Sequence, residues 1–361
     1  MGSRPVSRLF VSALGLLGVI GSLPISFALA QPAGAAPVPS SLYGPTFDPA
    51  ATSITVVDDP GHGTLFAFRN IPGYVWAKDG SFNAGWTFEQ GPGIQSFAVA
   101  SDTLHGPLIG VLDSTGTVWA KEGSLNAGWT EEWSGIGVKA MALAVASDTL
   151  NGPLIAVLDS TGKVWAKAGS LNAGWTEEWS ASGAKATSLA VASDTLHGAL
   201  IAVLDSTGKA WAKDGSLNAG WTKEFSLNAV KATALAVASD TQNGPLIGLL
   251  DSTGAVWGKE GSLNAAWTVR RSGAMALAVA SDTFRGPLIA VLDNTGTVWA
   301  KDGSLNAGWT EEWSGTGAKA TALAVANDAM NGPLFGVLDT TGAVWGKEGS
   351  LNAGWVLEKG P

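Results

Sequence analysis

Residues 118–129 read VWAKEGSLNAGW. Six other stretches repeat this phrase with few changes, and the closing indoles fall at Trp86, Trp129, Trp175, Trp221, Trp267, Trp309 and Trp355. Their spacings of 43, 46, 46, 46, 42 and 46 residues exceed the ankyrin and tetratricopeptide periods of about 33 and 34, and match one propeller blade. Seven copies predict an all-β chain, a seven-bladed β-propeller of four-stranded antiparallel blades over residues 52–361.

One copy, residues 143–179, shows how a blade is written. LAVASD (143–148) and PLIAVLD (153–159) are short apolar runs bounded by Asp, Gly and Pro, which marks buried strands. KVWAK (163–167) alternates and reads as a third strand, and WTEEW (175–179) as a fourth, with Trp175, Glu177 and Trp179 expected on one face. Asp159, Ser160, Thr161 and Gly162 form a tight turn in which Asp bonds the backbone and Gly takes a positive φ. In an antiparallel meander the loops SDTLNGP and GSLNAG share one rim, and the DSTG turn and the blade-to-blade connection share the other. From the Asp of each SD to the Trp of each NAGW the count is 27 residues in every copy. Length variation therefore falls between the fourth strand and the next first strand.

Four columns persist even in the first copy, whose other strands have drifted. They are the first indoles (Trp76, Trp119, Trp165, Trp211, Trp257, Trp299, Trp345), the lysines (Lys78, Lys121, Lys167, Lys213, Lys259, Lys301, Lys347), the amides (Asn83, Asn126, Asn172, Asn218, Asn264, Asn306, Asn352) and the second indoles given above. An indole offers a flat apolar face that stacks on the C–H face of a sugar, while Asn and Lys supply directional hydrogen bonds to hydroxyls. These 28 positions are the candidate ligand-binding residues, on the rim that carries SDTLNGP and GSLNAG. The competing structural reading has the first Trp wedged between blades, the second anchoring the fourth strand, and Asn capping a turn. Trp133, Trp179 and Trp313 share a fourth-strand position with Gln90, Phe225, Arg271 and Lys359, a tolerance that suggests a partly exposed outer strand.

Composition narrows the function classes. Charged residues are 14% and apolar ones 46%, enough for a large core. Residues 1–30 carry Arg4 and Arg8, an apolar stretch and a small-x-small cleavage site at Ala28-Leu29-Ala30, the pattern of a secretory signal. Residues 31–51 read as a flexible lead-in. Removing the leader takes the net charge from −9 to −11, which disfavours nucleic acid and anionic lipid as partners. No later apolar run is long enough to span a membrane. There is no cysteine, so no disulfide or thiolate metal site. His62, His105 and His197 lie in different copies, in a loop column otherwise filled by Asn151, Asn243, Arg285 and Asn331. No two converge on a metal, and no catalytic set or cofactor is expected.

Residues 111–129, VLDSTGTVWAKEGSLNAGW, resemble the tectonin and tachylectin-2 type of repeat: a strand, a tight Gly turn, a G-x-V-[WY] strand, a basic residue, Gly and a later Trp. The resemblance covers residues 52–361 and implies a β-propeller lectin that binds N-acetylated or methylated sugars at one site per blade. Tachylectin-2 itself has five blades, and the count of seven is closer to bacterial seven-bladed lectins. Two enzyme-associated motifs fall short. The sialidase Asp box needs Asp where Ser114 stands, and the quinoprotein docking motif is approached by residues 159–165 but is one residue longer on each side of Thr-Gly. The expectation is a secreted, monomeric, multivalent carbohydrate-binding protein directed at glycans of a cell surface or polymer. The alternatives are a secreted adhesion or protein-interaction scaffold and, below it, an exported hydrolase.

Overall fold

The computed structural model describes residues 8–9, 50–59, 63–102, 104–180, 182–226, 230–282, 285–314, 317–328 and 331–360. Seven antiparallel sheets follow one another, each a four-stranded meander. The blades occupy residues 51–90, 94–133, 140–179, 186–225, 232–271, 274–313 and 320–359. In blade 3 strand a is Ala140–Asp148, strand b Gly152–Asp159, strand c Val164–Ala168 and strand d Thr176–Trp179. A two-residue strand, Arg8–Leu9, pairs with Ser281 and Asp282 at the inner edge of blade 6. The rest of the expected leader, residues 31–49 of the lead-in and His62 lie outside the described residues, and Ala51, expected to end the lead-in, opens strand a of blade 1.

Strand a of each blade faces strand a of its neighbours around the axis, where seven chains converge and space is short. This explains small residues such as Ala144 and Ala146 beside the branched Val145. Strand b is buried along its whole length in blade 3. The core lies between blades rather than within them: Leu108 and Val118 of blade 2 cluster with Leu143, Val145, Ile155 and Val157 of blade 3. Each sheet thus buries both faces against neighbours, and apolar burial at about 25 cal/mol per Å² ties blade to blade.

The turns behave as the sequence predicts. Asp159 Oδ1 accepts from Thr161 N (2.8 Å), Thr161 Oγ1 (2.6 Å) and Lys163 N (3.1 Å). Gly162 has φ +90°, and a Cβ there would lie 2.5 Å from Lys185 Cβ, so only Gly lets the next blade's entry segment run past. That segment is held by Ala186 N donating to Gly162 O (2.9 Å). The a–b and c–d loops share a rim, with Gly169 N donating to Pro153 O at 3.0 Å.

Ring closure uses the same joints. Blades 1 and 7 each hold four strands consecutive in sequence, so no blade is assembled from both ends of the ring. Ala51 N donates to Gly342 O (3.3 Å), the equivalent of the Ala186–Gly162 bond, and Glu358 of blade 7 pairs with Lys78 of blade 1.

One local expectation fails. Val164 pairs with Trp179 and Trp165 with Glu177, which makes Glu178 the extra residue of a β-bulge. The bulge cancels strict alternation, so Glu178 and Trp179 both reach the following blade.

Candidate functional site

The lysine column sits inside the blade interfaces rather than on the rim where the sequence reading put it. All seven lysines are at most 3% exposed. Six pair with a strand d glutamate of the preceding blade: Lys78 with Glu358, Lys121 with Glu89, Lys167 with Glu132, Lys213 with Glu178, Lys259 with Glu224 and Lys347 with Glu312. Each Nζ also donates to a c–d loop carbonyl, as Lys347 does to Leu351 O at 2.7 Å, and lies near the second indole of its own blade, 5.1 Å from the Trp129 centroid in blade 2. Blade 5 differs: position 270 is Arg where the other strands d carry Glu, opposite Lys301 in the series. Burial pushes Lys213, Lys259 and Lys347 down to about 8. Burial also raises Glu89, Glu132 and Glu358, against the opposing pull of their lysines.

The two indole columns make distinct hydrogen bonds, while both pack against the preceding blade, so the interblade position expected of the first Trp is shared by the second. The second Trp is the bridge between blades: Trp175 Nε1 donates to Glu132 O (2.9 Å) and Trp221 Nε1 to Glu178 O (2.8 Å). The first Trp is tied within its own blade to the b–c turn, Trp165 Nε1 to Asp159 Oδ2 (2.9 Å) and Trp211 Nε1 to Asp205 Oδ2 (2.9 Å). In blade 1 the turn residue is Asn70 and Trp76 Nε1 is left with no hydrogen-bond partner. Burial alone would raise Asp205, but bonds from Thr207, Trp211 and the turn backbone hold it below the usual carboxylate value.

The fourth-strand tryptophans, read from sequence only as a tolerant outer position, complete an interblade groove. Trp179 of blade 3 lies between the two indoles of blade 4, with centroids 5.6 Å from Trp211 and 5.2 Å from Trp221. Trp133 meets Trp165 and Trp175 in the same way, and Trp313 meets Trp345 and Trp355. The groove between blades 3 and 4 encloses about 620 Å³, lined by the three indoles, Glu177, Ser180, Ser182, Gly183, Asp205, Thr207 and Lys209. That between blades 6 and 7 encloses about 390 Å³, with Glu311, Glu312, Trp313, Ser314, Gly317, Ala318 and Trp355. Trp179 Nε1 donates to Ala184 O (2.8 Å), so with every indole N–H of the trio satisfied internally, half-buried ring faces are what remain. Stacking falls to those faces and hydrogen bonding to serine and carboxylate oxygens. These grooves carry the b–c turn and the d–a connection, on the rim opposite to the one expected. The sequence signal was available: Trp at the fourth-strand position coincides with the string TEEW in three copies.

The other rim is polar and self-satisfied near the axis. The seven amides, Asn83 through Asn352, are exposed on the c–d loops. Asp102 Oδ1 accepts from Leu104 N (2.8 Å) and His105 N (2.9 Å), His105 Nδ1 lies 3.0 Å from Asp102 Oδ2, and Ser147 of the next blade donates to the same carboxylate. Blade 4 repeats this with Asp194, His197 and Ser239, and Asn151 and Asn243 replace His in blades 3 and 5. Beside these clusters burial raises Glu122, and raises Asp214 to about 6. Among the described residues no group of His, Cys, Asp and Glu is arranged to hold a metal.

No protein-family model matches the chain, and no curated protein matches it. Solved structures do. BBS1N, solved in complex with ARL6DN, aligns with a TM-score of 0.59 at 12% identity over 86% of this chain and 96% of its own. The BP39L lectin from Burkholderia pseudomallei aligns with a TM-score of 0.59 at 12% identity over 87% and 99%. At such identity the likeness is one of fold: a seven-bladed β-propeller.

Proposed function

We propose that this protein is a secreted, multivalent carbohydrate-binding protein whose sugars lodge in the outer grooves between blades. The observation that carries the reading is the groove itself. Half-buried indoles with internally satisfied N–H groups, three around the cavity of about 620 Å³ between blades 3 and 4 and two around that of about 390 Å³ between blades 6 and 7, stand beside serine and carboxylate oxygens, a fit to a ring with one apolar face and a hydroxyl edge. The BP39L lectin, similar in fold, supports it. Each groove is shallow and weak alone, and a rigid ring presenting several to a polymer or cell surface gains avidity without new contacts. The chain is acidic, with net charge −9, which disfavours nucleic acid as a partner. The reading assigns no catalytic residue and needs no cofactor, and the ring acts as a monomer. Export rests on residues 1–30. The test is a glycan array probed with the chain beginning at Gln31; absence of saturable binding to every saccharide rejects the reading.

A second reading, a protein-interaction scaffold, is favoured by one feature. Leu104, Leu150 and Leu196, at the a–b loop tips of three consecutive blades, are 70%, 72% and 69% exposed. BBS1N, another similar structure, was solved in complex with ARL6DN. Retention of partners from extracts in the presence of competing sugars distinguishes it.

A further inference from the structure

We infer that the ligand sites number three rather than seven, at the interfaces of blades 2 and 3, 3 and 4, and 6 and 7, and that they select neutral or amino sugars over carboxylated ones. This rests on the carbohydrate reading and adds its valency and charge preference.

The seven interfaces share the Lys–Trp framework but differ at two strand d positions. Three carry Glu followed two residues later by Trp: Glu131 and Trp133, Glu177 and Trp179, Glu311 and Trp313. Only these place a third indole against the next blade's pair, with repeated tilted and edge-on contacts. Elsewhere the groove is remade. Between blades 1 and 2 the positions are Phe88 and Gln90; between blades 4 and 5 they are Lys223 and the buried Phe225. Between blades 7 and 1, Lys359 folds back, its Nζ 5.6 Å from the Phe68 centroid and donating to Gly360 O.

The blade 5 and 6 interface shows what such a groove attracts. Arg271 stands in the tryptophan's place, and its guanidinium lies 4.2 Å above the Trp299 centroid, 5.5 Å from that of Trp309 and 3.8 Å from Asp293 Oδ2. The chain's own cation fills the space between two indoles and a turn carboxylate, the geometry of cation–π attraction reinforced by an acid. At the three interfaces that carry Trp133, Trp179 and Trp313 that guanidinium is replaced by an indole and the acids remain, and beside Trp179 and Trp313 the space is open. Glu177 is shared with Lys163 at 2.7 Å. Glu311 has no ion-pair partner among the described residues, because Thr297 stands where Lys163 does. A sugar ammonium or a hydroxyl donor satisfies these carboxylates, and a sugar carboxylate is repelled by them.

Calorimetric titration of the full secreted chain tests this with three probes: a glucosamine disaccharide, its N-acetylated counterpart and sialyllactose. The expected stoichiometry is three. It falls to two in Trp313→Gln, a residue already accommodated at this position as Gln90, with Trp313→Phe, which copies Phe225 of blade 4, as a second variant should the first unfold. Glu311→Gln is expected to weaken the glucosamine probe at one site by about 5- to 10-fold, a larger loss than for the N-acetylated probe, which gives up a neutral donor's bond rather than an ammonium's. A stoichiometry near seven, one unchanged by both Trp313 variants, sialyllactose bound as tightly as the other two, or no effect of Glu311→Gln on the glucosamine probe overturns the inference while leaving the carbohydrate reading intact. Failure of all three probes and of the whole glycan array removes both.

Discussion

Replacing Lys213 by Met isolates one blade joint. Lys213 is 2% exposed, its partner Glu178 is fully buried, and Glu178 Oε1 already lacks a hydrogen bond. Removing the ammonium strands a carboxylate in the interface, a loss of about 3–5 kcal/mol for one half of a buried pair. The group has an escape. Taking up a proton at pH 7 from an ordinary pKa of about 4.3 costs about 3.7 kcal/mol, which caps the penalty and makes it shrink by about 1.4 kcal/mol for each pH unit of acidification. The lost Leu217 carbonyl bond adds about 1 kcal/mol. Lys213→Met is therefore expected to cost about 4 kcal/mol at pH 7 and about 2 kcal/mol at pH 5.5 relative to wild type at the same pH. The double variant Lys213→Met, Glu178→Met should return to within about 1 kcal/mol of wild type, since apolar replacement of a buried pair is near neutral. Urea unfolding at both pH values, analysed as a double-mutant cycle, gives the numbers. A single variant costing less than about 1 kcal/mol with no pH dependence, or a double variant as unstable as the single, would falsify the assignment of the lysine column to blade cohesion.

The turn aspartates supply acid sensitivity. Asp113, Asp159, Asp205, Asp251, Asp293 and Asp339 are all held below 3.8 by turn and indole bonds that outweigh burial. A depressed carboxylate stabilises fully above its unfolded value and loses that contribution as pH falls through the folded one, so thermal melts should decline below about pH 4, and Asp159→Ala should flatten the decline while costing about 1–3 kcal/mol. Asp214 has the opposite sign: burial raises it to about 6, so its cost sets in as pH rises past the unfolded value of about 3.9, is complete above about pH 6, and is relieved on acidification. Asp214→Asn is expected to add about 1–2 kcal/mol at pH 7, about half of that at pH 5 and nearly nothing at pH 3, checked by chemical denaturation at the three values. Gly162→Ala must move Lys185 and adopt φ +90°, for a loss of about 2 kcal/mol or more seen as a lowered melting temperature.

The fold was legible because it is periodic. The recurrence of a 27-residue Asp-to-Trp module carried the blade count, the meander, the DSTG turn and the sharing of a rim by the a–b and c–d loops. Each of these rests on contacts a few residues long. The candidate site was legible only in part. Both indole columns line the groove between blades 3 and 4, through Trp211 and Trp221, and the second indole, Trp355, lines that between blades 6 and 7, but the lysines were placed on a surface when they lie inside an interface. Trp179 was read as peripheral although it forms one wall of the groove.

These errors share a cause. Lys213 meets Glu178 across 35 residues and Trp221 meets the Glu178 carbonyl across 43, because a radial fold brings strand c of one blade against strand d of the one before. A bulge at Glu178 then turns two adjacent side chains the same way, which no alternation rule anticipates. The sequence by itself determined the number of sectors and the path of the chain within each, since strand and turn chemistry is local. Only the tertiary structure decided which polar residues hold neighbouring blades together and which aromatic faces remain open to a ligand, since those partners are set by packing between copies and not by position within one.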